Sequence, residues 1–174
     1  MGKVGVRARV RVEAREALRR LADGGWCAAL PPDVVAVRIE QETEPGHTGR
    51  RVSEWAVPFR AGTVRWRQIE EVFPERPGIV FEQEYGDLAR LSGAWRLQPE
   101  PPGPGGDACQ VTFELRFDLG VPLWNRVVDP LLARSLTAAA EAVIAAAFGE
   151  AELSREPDAA AEAERLVTAL AVSA

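Results

Sequence analysis

The segment TVRWRQIE, residues 63–70, sets Trp66, Gln68 and Glu70 at every second position. Side chains on a β-strand alternate with a period of two, so an inward Trp66 carries Gln68 and Glu70 inward with it. Burial in an apolar cavity penalises the charged form of a carboxyl and suits it to general acid or base work near neutral pH. Glu70 is the candidate for that catalytic role. The competing expectation puts Glu70 at the strand end near solvent, paired with Arg65, Arg67 or another surface cation, because a buried unpaired carboxylate is costly. Neighbouring segments offer Trp55 beside Val57 and Phe59, Gln83 and Tyr85 beside Ile79 and Phe81, and Trp95 with Leu91 and Leu97. Aromatic and amide side chains of this kind suit a planar, oxygen-bearing ligand, since Tyr and Trp each offer one hydrogen bond while stacking. The plain alternative is that they are core. Tyr85, the sole tyrosine, is the candidate polar contact after Gln68.

Other chemistries lack their residues. The single histidine, His47, falls in a Gly- and Glu-rich turn, and Cys27 and Cys109 are far apart with no CxxC spacing, so a zinc site has almost nothing to be built from. There is no GxSxG elbow, no GxxxxGK loop and no strand-GxGxxG-helix unit, and the glycines at 103–106 belong to a Pro-rich hairpin loop. The expectation is that neither metal nor cofactor takes part. A net charge of −5 without clustered cations argues against nucleic acid as a partner. No uninterrupted run of about 18 apolar residues exists, and the N-terminus lacks a basic region followed by an apolar stretch, so the expectation is a cytoplasmic protein with no membrane span.

These residues need a scaffold. A chain of 174 residues with 47% hydrophobic content is expected to form one globular domain with room for a ligand cavity. In VGVRARVRV, residues 4–12, Val4, Val6, Ala8, Val10 and Val12 alternate with Arg7, Arg9 and Arg11, the pattern of a half-buried strand. Ala14, Ala17, Leu18 and Leu21 then follow helical spacing from about Glu13 to Ala22, stopped by Asp23-Gly24-Gly25, and a short helical or irregular piece reaches Leu30. Strands follow near 34–43, 51–59, 63–72, 79–87, 90–98 and 108–119, divided by turn residues such as EPGHTG (44–49), RAG (60–62) and PERPG (74–78). Asp129 and Pro130 read as the N-cap and first residue of a long helix to Phe148, with Gly149 just past its end. Residues 1–149 make the ligand-binding domain. Residues 150–174 are an Ala- and Glu-rich tail, helical from Asp158 to about Leu170, which packs on the domain or pairs with another copy.

The order is α+β: a curved antiparallel sheet of about seven strands whose apolar face is covered by the long C-terminal helix. The Ala-rich 138–147 face of that helix leaves a cleft under the sheet; the alternative is close Ala packing with no cavity.

The succession SEW (53–55), VRW (64–66), IVFEQEYGDL (79–88), SGAWRL (92–97) and VTFELRFDLG (111–120), followed by a terminal helix, resembles the START-like superfamily of helix-grip (START/Bet v 1-like) proteins. Within it the likeness is to the branch of polyketide cyclases/dehydrases and coenzyme Q-binding proteins, over roughly residues 3–149. In aromatase/cyclases of this superfamily a Trp-x-Ser-x-Arg pattern on the corresponding strand faces the ligand tunnel. Here Trp66 matches the Trp, but Gln68 and Glu70 stand where Ser and Arg would be. The resemblance supports the inward row and withholds the cation that would stabilise a developing enolate. It implies a hydrophobic small-molecule partner, which is a polyketide, quinone or lipid, and a cyclase/dehydrase activity. An acyl carrier protein of a polyketide synthase and a second copy of the chain are further partners in that reading. The alternative it implies is a non-enzymatic lipid or quinone carrier, and fold alone does not decide between them.

Overall fold

In a computed structural model of the chain, which describes residues 1–41, 49–123 and 125–155, the first strand β1 spans Gly2–Val10. Its Val4, Val6, Ala8 and Val10 are buried and Arg7 and Arg9 point away, as the alternation requires. Helix α1 (Ala14–Asp23) buries Ala14, Ala17, Leu18 and Leu21, and the Glu13 side chain caps its first turn by accepting from the Arg15 and Glu16 amides. Gly24, at φ 73°, ends it in the left-handed conformation that glycine takes without a Cβ penalty. A 3-10 turn (Gly25–Ala29) then places Trp26 in the core.

The strands β2 (Ala36–Gln41), β3 (Arg50–Phe59), β4 (Gly62–Phe73), β5 (Gly78–Gly86), β6 (Arg90–Pro99) and β7 (Cys109–Asp118) form an antiparallel meander. The β6–β7 loop is closed by Gly106 N–H donating to Gly103 O at 3.0 Å. The open, curved sheet has the order β2-β3-β4-β5-β6-β7-β1-β8. Its eighth strand, β8 (Ala151–Arg155), is one more than the sequence pattern led us to expect. In AELSR, Ala151 and Leu153 alternate with Glu152 and Ser154 over only four residues, too short a run to mark a strand without the partner it finds in Val6–Val10 of β1. The expected helix from Asp158 and the turn containing His47 lie outside the described residues.

Helix α2 (Asn125–Phe148) begins a turn earlier than the Asp-Pro pair suggested. Pro130 is inside the helix, where it removes the bond its N–H would have given to the Arg126 carbonyl. Asp129 is not a cap but a buried side chain, with Oδ2 3.3 Å from the amino nitrogen of Met1. Leu132, Leu136, Ala139, Ala140, Val143 and Ile144 offset the proline by anchoring the helix to the core. By length and composition α2 could cross a membrane, yet its apolar stripe is buried against the sheet, as in a core helix. Its closest backbone neighbours are β1, the 3-10 turn and β3. Under β4–β7 large side chains occupy the interior: Trp66, Phe81, Trp95 and Phe113, the last two with ring centroids 4.5 Å apart.

Candidate functional site

The β3–β4 ladder sets Arg51 opposite Glu70, Ser53 opposite Gln68 and Trp55 opposite Trp66. Because paired residues of adjacent strands share a face, all six side chains occupy one inner patch. The two indoles stack, with centroids 5.7 Å apart and planes 9° from parallel, and Trp26 tilts against Trp55 at 6.5 Å. The remaining polar groups close a network around one carboxylate. Trp66 Nε1 donates to Gln68 Oε1 at 2.7 Å, and Gln68 Nε2 donates to Glu70 Oε1 at 2.8 Å. Trp55 Nε1 donates to Ser53 Oγ at 2.8 Å, and the Ser53 hydroxyl donates to the same Glu70 oxygen. Arg51 Nε donates to Glu70 Oε2, while its Nη1 reaches the carbonyls of Leu21, at 3.0 Å, and Ala22 at the end of α1. Arg51, Ser53, Gln68 and Glu70 are all buried, Glu70 to 3% exposure. The polar row therefore does enter the interior, and the adjacent strand brings the partners that make its burial tolerable.

The structure corrects two expectations about this row. Glu70 is neither near solvent nor paired with Arg65 or Arg67. Those arginines lie on the outer face, where Arg67 bonds Glu84 at 3.0 Å, Glu54 at 3.2 Å and Glu40 at 3.3 Å, and the Arg65 amide donates to Asp87. Tyr85 does not face inward. The β4–β5 pairing slips at Arg67/Gln68, so Gln83 stands opposite Gln68 but Tyr85 stands opposite the outward Arg67 and is 59% exposed. A bulge of one residue is enough to turn the next side chain to the other face. Tyr85 instead borders an outer groove of about 560 Å³ across β2–β5, with Ala36 and Ala56 among its lining residues and Arg38, Arg65 and Asp87 around it.

Of the other candidates, Trp95 of β6 is buried against Phe113 of β7, away from the stacked pair. Gln83 is half-buried beside Gln68; its Nε2 donates to Leu88 O at 2.7 Å and its Oε1 has no donor among the described residues. The residues that sequence reasoning missed are Arg51 and Ser53. Their signal was present: if Trp55 in RVSEW points inward, Ser53 and Arg51 do too. Read backwards along an antiparallel strand, these are Trp-x-Ser-x-Arg, the pattern absent from β4.

Near this patch, burial pushes the Cys27 thiol above its ordinary range, partly opposed by the Arg51 charge. Burial likewise raises Cys109, to about 11. Neither is positioned as a thiolate nucleophile. No group of three or more His, Cys, Asp or Glu side chains suited to a metal occurs among the described residues.

Comparison with known proteins gives a consistent fold. The family described as polyketide cyclase / dehydrase and lipid transport matches residues 10–144. No curated protein matches the chain. Among solved structures it is similar to TTHA0849 from Thermus thermophilus, at 19% identity and a TM-score of 0.68, covering 83% of this chain and 96% of that one. It is also similar to the Zhui aromatase/cyclase from Streptomyces sp. R1128, at 20% identity and a TM-score of 0.62 over 83% and 92% of the two chains. A START superfamily protein from Mycobacterium smegmatis aligns at 17% identity and a TM-score of 0.58, over 84% and 97%.

Proposed function

Because the chain belongs to the family of polyketide cyclases/dehydrases and lipid-transport proteins, we propose that it binds a hydrophobic, aromatic or polyketide-like molecule between the sheet and α2 and assists its cyclisation or dehydration. The observation that carries this reading is the β3–β4 ladder, in which a stacked Trp55–Trp66 surface continues into Ser53–Gln68 and Arg51–Glu70. The indoles supply a flat apolar wall for a planar substrate. The polar row supplies dipoles held in place by their mutual hydrogen bonds, the preorganisation that stabilises developing charge at little reorganisation cost. Arg51 provides the cation absent from β4, and Glu70, through Ser53 and Gln68, orients the row. In this reading the protein acts in the cytoplasm, alone or as a homodimer, on an intermediate presented by an acyl carrier protein.

Supplying purified protein with a reactive poly-β-ketone tests the chemistry. A product distribution shifted from the spontaneous one, and restored towards it by Glu70→Gln, is expected; a distribution identical to that without protein overturns catalysis.

One observation favours a second reading, a non-enzymatic carrier. Both Glu70 oxygens are already engaged by Arg51, Ser53 and Gln68, which leaves the carboxylate little capacity for acid or base work. An isoprenoid quinone or lipid co-purifying with the protein from its own host, identified by mass spectrometry, supports the carrier.

A further inference from the structure

Three buried side-chain atoms have no hydrogen-bond partner among the described residues: Gln83 Oε1, Asn125 Oδ1 and Asp129 Oδ1. Gln83 Oε1 and Asp129 Oδ1 are acceptors, and Asn125 adds a side-chain amide beside Asp129. In Gln83 the amide orientation is assigned by Nε2 donating to Leu88 O, so the oxygen is the free end. Asn125 and Asp129 are four residues apart on α2 and therefore share a face, and Asp129 is only 8% exposed.

The chain brings these atoms to one end of the sheet. Gln83 bonds the β5–β6 turn at Leu88, and the amide of Ala89 in the same turn donates to Asp118 O at the end of β7. Phe117 pairs with Gly2 of β1, and Met1, next to Gly2, carries the amino nitrogen beside Asp129. Between Gln83 and Asp129 the inner face is apolar, built of Leu88, Leu91 and Phe117. Gln83 also stands opposite Gln68, so this acceptor-bearing wall continues directly from the Trp66–Gln68–Glu70 row.

An unsatisfied buried acceptor is unfavourable unless something donates to it, and a molecule carrying only carbonyl oxygens makes matters worse by facing it with a second acceptor. We infer that the ligand is recognised as a hydrogen-bond donor: an aromatic or enolic molecule whose hydroxyl groups are accepted by Gln83 Oε1 and Asp129 Oδ1, with the Asn125 amide beside Asp129, in preference to a quinone or an ether of the same ring. The inference rests on the ligand site proposed above. It narrows the substrate class to the hydroxylated, enolised or aromatised form of the ring system.

Three matched probes test it by isothermal titration calorimetry: naphthalene-1,8-diol, 1,8-dimethoxynaphthalene and 1,4-naphthoquinone. The diol is expected to bind about tenfold or more tightly than either other probe, the worth of roughly one well-placed hydrogen bond. In Asn125→Leu and Gln83→Met, each checked for native thermal unfolding, that preference is expected to shrink while binding of the dimethyl ether holds. Equal binding of all three probes, or a preference that survives both substitutions, overturns the donor inference and leaves the ligand site standing. Failure of all three to bind the folded protein overturns the ligand site itself, and the inference with it.

Discussion

Arg51 and Glu70 face each other across the β3–β4 ladder, the guanidinium Nε donating to Glu70 Oε2 with both side chains buried. A pair of this kind is defined less by its net worth than by what its separation leaves behind. Arg51→Met strands a carboxylate among indoles, and Glu70→Leu strands a guanidinium against the carbonyls of α1. Either single change is expected to cost about 3–5 kcal/mol in urea denaturation, with the double variant much closer to wild type. Additive losses would show that the two side chains do not act as a unit.

Trp66 and Tyr85 give opposite expectations. Trp66→Phe removes the 2.7 Å bond to Gln68 and leaves Gln68 Oε1 without its donor, so a loss of about 1–3 kcal/mol in stability and weaker binding of aromatic probes should follow. Tyr85→Ser alters only the outer face, and both stability and probe affinity should stay within experimental scatter of wild type. A loss of probe affinity in Tyr85→Ser would place the ligand in the outer groove.

The Cys109 thiol carries a pH dependence. Burial raises it from 9.0 to about 11, so the folded state disfavours the thiolate. Below pH 9 the thiol is neutral in both states and its contribution is complete. As the pH rises from 9 towards 11 the unfolded chain ionises first, and stability falls. Urea midpoints between pH 8 and pH 11 are expected to decline in wild type, and less in Cys109→Ala. At pH 8 a thiol reagent should label Cys109 slowly until denaturant is added.

Gly93 is required by close approach rather than by an unusual φ. A Cβ there would fall 2.3 Å from the Glu114 carbonyl oxygen and 2.5 Å from the Phe81 ring, and the backbone atom has nowhere to go. Gly93→Ala is expected to lower stability by about 1–3 kcal/mol or more, read as a lower melting temperature by circular dichroism. An unchanged melting temperature would mean that β6 and β7 separate more easily than their pairing suggests.

Much of this molecule was legible one residue at a time. Alternation in residues 4–10 and 63–70, helical spacing in 14–21, and the stops at Gly24 and Gly149 depend on neighbours a few positions away, and each reappears in the fold. The inward turn of Trp66, Gln68 and Glu70 followed from the same local rule, whereas the likeness to helix-grip proteins was a resemblance carried by the succession of segments from SEW to VTFELRFDLG. What stayed hidden depended on partners distant in sequence. AELSR is a strand only because β1 offers it an edge, and Asn125 opens α2 ahead of Pro130 because the residues beyond anchor the helix to the core.

The site divides in the same way. Composition and periodicity determined that a polar row would accompany an inward tryptophan. Only the tertiary structure decided that Arg51 would neutralise it, that a bulge would turn Tyr85 outward, and that Gln83, Asn125 and Asp129 would each bury an oxygen with no hydrogen-bond partner among the described residues. Side-chain alternation is a property of a single strand, whereas register, bulges and the meeting of a helix with a sheet are set by pairings between segments that no local pattern encodes.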